Sequence, residues 1–273
     1  MLPTIHMVVK NEDIFIWYAI QSVLKYSSQI LIFDTGSTDN TVQMIKSIRS
    51  EKIIFKQKGS IDNKELVKLR QEQIDQTKTD WFWVVDGDEI YPKITADEVS
   101  KFITNGKDRY EGGVVRRYDL LGDIYHYQSE TVGEYNLFGQ KGHLVLRLLN
   151  KKKLPLLHLS GIYPNEGYYD QNNEAIIDHP RQNFFITGNR LFHAMYLPRS
   201  TKGGSLKNTL HRNKVKIEDG HPFSASQNFP DVFFRQRPLF VPSVIEPRSR
   251  AYEIKAKLIT PLKKFKRKIW SQF

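Results

Sequence analysis

Residues 4 to 85 alternate between short, almost unbroken apolar runs and longer stretches whose apolar residues recur at helical spacing. "TIHMVV", "QILIFD", "KIIFKQ" and "WFWVV" are strand-length and rich in β-branched and aromatic residues. Between them, "EDIFIWYAIQSVLKYS" puts Ile16, Ala19, Ile20, Val23 and Leu24 on one helical face. "GSTDNTVQMIKSIRS" does the same with Val42, Met44, Ile45 and Ile48, and "DNKELVKLRQEQIDQT" opens on Asp62, a helix-capping residue. A strand that is apolar at nearly every position must be covered on both faces. Alternating such strands with amphipathic helices predicts an α/β fold with a mainly parallel sheet flanked by helices. Trp17, Trp81 and Trp83 are expected in its core.

The second half is less regular. "EGGVVRRYDL" and "HLVLRLLNKK" predict two more strands. The loop "GDIYHYQSETVGEYNLFGQKG" between them is too long for a hairpin turn and reads as functional. A helix is predicted after the glycine pair in "PRSTKGGSLKNTLHRNKVKIEDG". The composition shifts near Phe229, which divides the chain into a compact domain, 1–229, and a C-terminal extension, 230–273.

The net charge of +11 resembles a nucleic-acid signal until it is located. Residues 248–273 hold nine Lys or Arg against one acid, Glu253, so 32 basic and 29 acidic residues remain elsewhere. The body is close to neutral and the surplus sits in the tail, which argues against a surface that wraps a duplex. The chain has no cysteine, which excludes disulfides and thiolate metal sites and suits the cytosol. "MLPTIHMVVKNED" has no secretory pattern, and no run reaches the ~18 apolar residues of a spanning helix.

In an open parallel sheet, ligands bind beyond the carboxyl ends of the strands. Lys10, Asn11 and Glu12 follow the first strand, Asp34 closes the second, and Asp86 and Asp88 close the fourth. Asp86-Gly87-Asp88 offers two carboxylates around one small residue. Oxygen ligands of this kind suit Mg²⁺ or Mn²⁺ bridging to phosphate. The bland alternative is a polar turn, but the position after "WFWVV" places these acids in a crevice. Glu89 is expected only to order that turn. In "FDTGSTDNT", Ser37 to Asp39 read as a turn and helix cap, and Asp34 as a group for a nucleobase or ribose.

"VVKNE", "FDTGSTDNT" and "KLRQEQIDQTKTDWFWVVDGDEIYP", in that order, resemble the GT-A glycosyltransferases of family 2. The resemblance is specific over residues 4 to 92 and weaker to about 220; Arg70 falls at the family's arginine, and Gln71 replaces its usual asparagine. It implies a GT-A fold with a nucleotide-binding half, 1–92, and an acceptor half, 93–229. It also implies an inverting transfer from a UDP-, GDP- or dTDP-sugar to a sugar or lipid-linked acceptor, as in cell-surface polysaccharide or glycolipid synthesis. Lys10, Glu12, Asp34, Arg70 and Asp86 would bind the nucleotide-sugar. Asp88, with Asp86, would hold Mg²⁺ or Mn²⁺, and His193 in "RLFHAMYLPRS" would approach that ion or the diphosphate.

The catalytic base is expected in the second half. "GIYPNEG" stands where relatives carry G-x-x-H-E, which makes Glu166 the first candidate, with Asp170, Glu134 and Asp178 as rivals. Arg199 and Lys202 would steady a diphosphate. In "TPLKKFKRKIWSQF", Leu262, Phe265 and Ile269 form a helical stripe among Lys and Arg, with Trp270 beside it. That pattern predicts an interfacial helix on anionic lipid, and so peripheral attachment to the inner face of a cytoplasmic membrane. Two other readings compete. One is a sugar-nucleotide pyrophosphorylase, which "VVKNED" disfavours for want of glycine; the other is a non-enzymatic basic membrane-binding protein.

Overall fold

The computed structural model describes residues 2–106, 109–202 and 215–270. An eight-stranded sheet forms its centre. The strands are β1 (Thr4–Val9), β2 (Gln29–Asp34), β3 (Ile53–Gln57), β4 (Trp81–Val84), β5 (Glu89–Ile90), β6 (Gly112–Asp119), β7 (Leu144–Asn150) and β8 (Phe184–His193). Their spatial order is β3-β2-β1-β4-β7-β6-β8-β5. β3, β2, β1 and β4 run parallel, as do β6 and β8. β7 is antiparallel to both its neighbours, and β5 is antiparallel to β8.

The four apolar runs of the first half become β1 to β4. Ile5, Met7, Ile30, Ile32, Phe82 and Trp83 are fully buried, as double-sided coverage requires. Trp17 and Trp81 join them in the core. Four helices pack around the sheet: α1 (Ile16–Val23), α2 (Thr41–Ser47), α3 (Asn63–Gln76) and α4 (Lys93–Asn105). Asp62 does cap α3. It accepts the Lys64 and Glu65 backbone N–H groups while Glu65 accepts the Asp62 N–H, a complete capping box.

Three short two-stranded antiparallel pairs decorate the second half. His158–Ser160 pairs with Gly167–Tyr169, Tyr135–Leu137 with Gln140–Gly142, and His126–Tyr127 with His221–Pro222. The helix expected after the glycine pair lies largely in 203–214, outside the described residues. The core does not stop at Phe229: Val232, Phe233, Val241 and Val244 are buried in the main cluster.

The tail forms α5 (Arg250–Trp270). Its small and polar face docks on the domain through buried Ala256 and Thr260. Thr260 Oγ1 accepts the Asp219 N–H at 2.8 Å, Tyr252 Oη donates to the Lys216 carbonyl at 3.0 Å, and Arg267 pairs with Glu218. The opposite face turns Ile254, Leu258, Leu262, Phe265 and Ile269 to solvent, with Leu258 and Leu262 each 70% exposed. No described helix is long and apolar enough to cross a membrane.

Candidate active site

The sheet register gathers the site. Val9 pairs with Asp34 and His6 with Val84, so β1, β2 and β4 end along one edge. β8 ends there too, with His193 opposite Asp119 of β6 and opposite Glu89 of β5. Ala194 N–H donates to the Asp88 carbonyl at 2.8 Å, which clamps the end of β8 to the acidic turn. Residues 106 positions apart in the chain thus become neighbours.

At the centre stands Asp88, 2% exposed. Its Oδ2 accepts from Arg199 Nη1 at 3.1 Å and lies 3.6 Å from His193 Nε2. The same Arg199 nitrogen donates to Glu12 Oε1 at 3.0 Å. Gly87 allows this crowding, since a Cβ there would sit 3.0 Å from the Glu12 Cγ. His193 Nδ1 faces Asp119 Oδ1 at 3.0 Å, and Asp119 is held from behind by Arg117 at 2.9 Å and His143 at 3.3 Å. Burial alone would push the His193 pKa down, but Asp88 and Asp119 outweigh it and the imidazole is held above its ordinary value. Burial likewise raises Asp119, yet the His193 hydrogen bond and the Arg117 charge bring its carboxyl down to about 2. A histidine oriented by a carboxylate on one nitrogen and facing another carboxylate with the other is the arrangement of a metal-ligating imidazole.

Asp86 and Glu89 share a different partner. Arg147 donates to Asp86 Oδ2 at 2.5 Å, and its Nε and Nη2 reach Glu89 Oε1 at 3.1 and 2.6 Å. Arg147 falls at a β-bulge, where the β7 register shifts between Leu146 and Leu148. A bulge re-aims a side chain, which is how a charge inside an apolar strand reaches the site. Burial would lower the Arg147 pKa, but Asp86 and Glu89 hold the guanidinium firmly charged. Glu89 is therefore more than a turn-ordering residue: it is fully buried and fixes Arg147 beneath Asp86.

Asp34 is 1% exposed, and its carboxylate accepts the N–H groups of Gly36 and Ser37 at 3.3 and 3.2 Å. In this structure it serves the turn into α2. Asn11, at φ 53°, turns the chain after β1 and accepts the Thr38 N–H at 2.8 Å, so the two strand-end turns lock together. Lys10 stands half-buried beside them. Residues 199–202 run across this edge: Ile14 N–H donates to the Arg199 carbonyl, Ser200 to Asp39, Thr201 to Asp13, and Lys202 to the Thr38 carbonyl.

Arg70 and Glu166 come together, with Nε and Oε1 3.9 Å apart and both side chains largely buried. Arg70, with His6, Val8, Gln73, Val84, Asp86 and Tyr168, lines a narrow cleft of about 10 Å³. Burial, with Lys151 and Arg70 adding to it, drops the His6 pKa to about 3, so a neutral ring faces this cleft. Gln71 accepts the Leu159 N–H at 2.9 Å and so ties α3 to the hairpin that carries Glu166. Of the rival bases, Glu134 and Asp178 are exposed. Asp170 faces Glu174 and His179.

Arg147, Arg117, Asp119 and His143 were not singled out in the sequence. Two of them carried a signal: Arg147 interrupts the apolar run "HLVLRLLN", and Asp119 closes the strand "GGVVRRYD" as Asp34 closes its own.

The sheet, with acids and cations converging at its strand ends, has the α/β architecture of the GT-A fold. Comparison of the sequence gives the family. The profile of "Glycosyl transferase family 2" matches residues 4–160, and the chain belongs to that family. A glycosyltransferase of Rickettsia bellii, itself uncharacterized, is 30% identical over 105 residues, 38% of this chain and 34% of the relative. One from Rickettsia conorii is 27% identical over 147 residues, 54% of this chain and 47% of the relative. The chain thus matches a third to a half of the length of these relatives. Among solved structures, Staphylococcus aureus TarS aligns at TM-score 0.42 and 13% identity, covering 72% of this chain and 37% of TarS. Glucosyl-3-phosphoglycerate synthase from Mycobacterium tuberculosis, solved with Mn²⁺, UDP and glucosyl-3-phosphoglycerate, aligns at 0.32 and 15%, covering 44% and 45%.

Proposed function

We propose that this chain transfers a sugar, with inversion, from a nucleotide-sugar to an acceptor hydroxyl. The observation that carries the reading is the Asp119–His193–Asp88 line, which presents one imidazole nitrogen and one carboxylate 3.6 Å apart at the strand-end crevice. That donor set fits a divalent ion. Its nitrogen ligand favours Mn²⁺ over the strictly oxygen-loving Mg²⁺. When bound, such an ion neutralises the departing diphosphate.

The chain's own residues supply the rest. Arg199, already on Asp88, and Lys10 add positive charge for the diphosphate. Arg147 anchors Asp86 from below, which leaves Asp86 fixed at the cleft wall. Asp34 holds the turn against which a nucleotide would lie. The acceptor oxygen attacks the anomeric carbon as the bond to the diphosphate oxygen breaks, and a single displacement inverts that carbon. The proton passes to the Glu166 carboxylate, which stands 3.9 Å from Arg70. Family membership sets aside the pyrophosphorylase alternative.

Titrating the protein with UDP, GDP and dTDP, with and without Mn²⁺, tests the reading. At least one should bind in a metal-dependent manner; failure of all three in the presence of Mn²⁺ overturns it.

The acceptor side includes α5. Its exposed apolar stripe is flanked by exposed Lys255, Lys257, Lys264, Lys266 and Lys268, the pattern of a helix lying on anionic lipid. This supports a membrane-bound, lipid-linked or surface-polysaccharide acceptor. Because α5 also docks on residues 216–219, deleting it disturbs the domain. The cleaner test is Leu258→Glu/Leu262→Glu/Phe265→Glu in the full chain. Flotation with phosphatidylserine vesicles should be lost in the triple variant, and undiminished flotation would refute the membrane role.

A further inference from the structure

A second group of ligands lies away from the Asp88 crevice. The strand Gly167–Tyr169 runs into a tight turn in which Asp170 Oδ1 accepts the N–H groups of Asn172 and Glu174 at 2.8 and 2.9 Å. Ile176, fully buried, anchors the following turn and returns the chain as His179. Asp170, Glu174 and His179 then offer ligand atoms all within 4.8 Å of one another.

Acids in a turn would mean little alone. His179 makes the difference. Its side chain is nine-tenths buried, with 10% exposure. Its Nδ1 is fixed by Glu111 Oε2 at 2.8 Å, and Glu111 is itself fixed by Asn183 Nδ2 at 2.9 Å. Its Nε2 is buried, has no hydrogen-bond partner, and points at Asp170 Oδ2 from 3.9 Å, too far for a hydrogen bond. A buried ring nitrogen aimed at carboxylates, with its other nitrogen held on a further carboxylate, is the geometry that orients a metal-ligating imidazole. Tetrahedral zinc, with bonds of roughly 2.0–2.1 Å, separates its ligand atoms by about 3.3 Å. The observed 3.9 Å closes to that spacing with a small inward movement.

We propose that Asp170, Glu174 and His179 form a binding site for a divalent transition ion of the zinc type, with a fourth position for water. One imidazole and two carboxylates suit zinc, whereas magnesium and calcium prefer oxygen alone. The ion would tie the 170–179 loop to Glu111, just beyond β-strand Gly167–Tyr169 and close in sequence to Glu166. This site is independent of the donor-site reading and stands or falls separately.

The test uses the full chain stripped with EDTA and titrated with Zn²⁺ alone by calorimetry. Wild type and Asp88→Ala should both show a zinc event that Glu174→Gln weakens by ~100-fold or more. Glu174 is exposed, so that variant should fold. Glu111→Gln, which frees the ring without removing a ligand, should weaken binding by about 10–100-fold. His179→Gln should abolish the event while leaving Mn²⁺-dependent nucleotide binding unchanged. Zinc binding by Glu174→Gln and His179→Gln equal to wild type, or no zinc event in wild type, overturns the proposal.

Discussion

Asp88→Ala is expected to retain the fold and to lose metal-dependent sugar transfer by roughly 10³-fold or more, the scale set by removing a group that stabilises charge in the transition state. Asp88 touches Arg199 and faces His193, so its removal takes away one of the two ligands proposed for the ion while Arg199 keeps Glu12. The sheet does not depend on that side chain: the clamp between β8 and the acidic turn uses the Asp88 backbone carbonyl, which alanine keeps. Circular dichroism should therefore match wild type and the melting midpoint should fall only modestly, since Arg199 keeps Glu12 and His193 keeps Asp119, while Mn²⁺-dependent UDP-, GDP- or dTDP-sugar turnover falls. Asp88→Asn separates charge from shape, because it keeps a hydrogen-bond acceptor for Arg199 and removes the anion. Both variants should fail alike. Wild-type turnover in either would remove Asp88 from the metal assignment.

Arg147→Leu is expected to destabilise the protein by about 3–5 kcal/mol, the usual cost of leaving one member of a buried ion pair alone. Glu89 is fully buried and Arg147 nearly so, and the guanidinium spans Glu89 and Asp86. Without Arg147 the Glu89 carboxylate has lost its charge partner in a medium that penalises charge. At ~2–4 °C per kcal/mol for a chain of this size, the melting midpoint should drop by roughly 10 °C. The double variant Arg147→Leu/Glu89→Leu should recover much of the loss, since removing both charges costs less than removing one. A single variant that melts with wild type would show that the pair contributes nothing.

Much of the first half was legible. Strands β1 to β4, the Asp62 cap and the placement of Lys10, Glu12, Asp86 and Asp88 at strand ends follow from local patterns, because each is encoded within a few residues. Other features were not. Asp34 reads as a ligand in sequence, and that its carboxylate also accepts the Gly36 and Ser37 N–H groups was not legible there. Glu89 reads as a turn residue, yet it is the buried partner of Arg147, 58 positions away. The boundary expected at Phe229 misses the buried residues that follow, since a composition shift reports polarity and not contact. For α5 the amphipathic stripe was visible, but which face would meet the domain was not.

The sequence by itself determined which segments are strands, which helices alternate with them, and that acids and cations cluster at strand ends, though β3 lies half-exposed at the sheet edge. Period and polarity act over one or two turns of chain, and they decide local structure before any distant contact forms. Only the tertiary structure decided which charges pair. Asp88 meets Arg199 and His193, Asp86 meets Arg147, and Glu166 meets Arg70 because sheet register, a β-bulge and a returning loop bring them within hydrogen-bond or ion-pair range. A buried charge must find its counter-charge wherever the fold places one, and no local pattern records where that is.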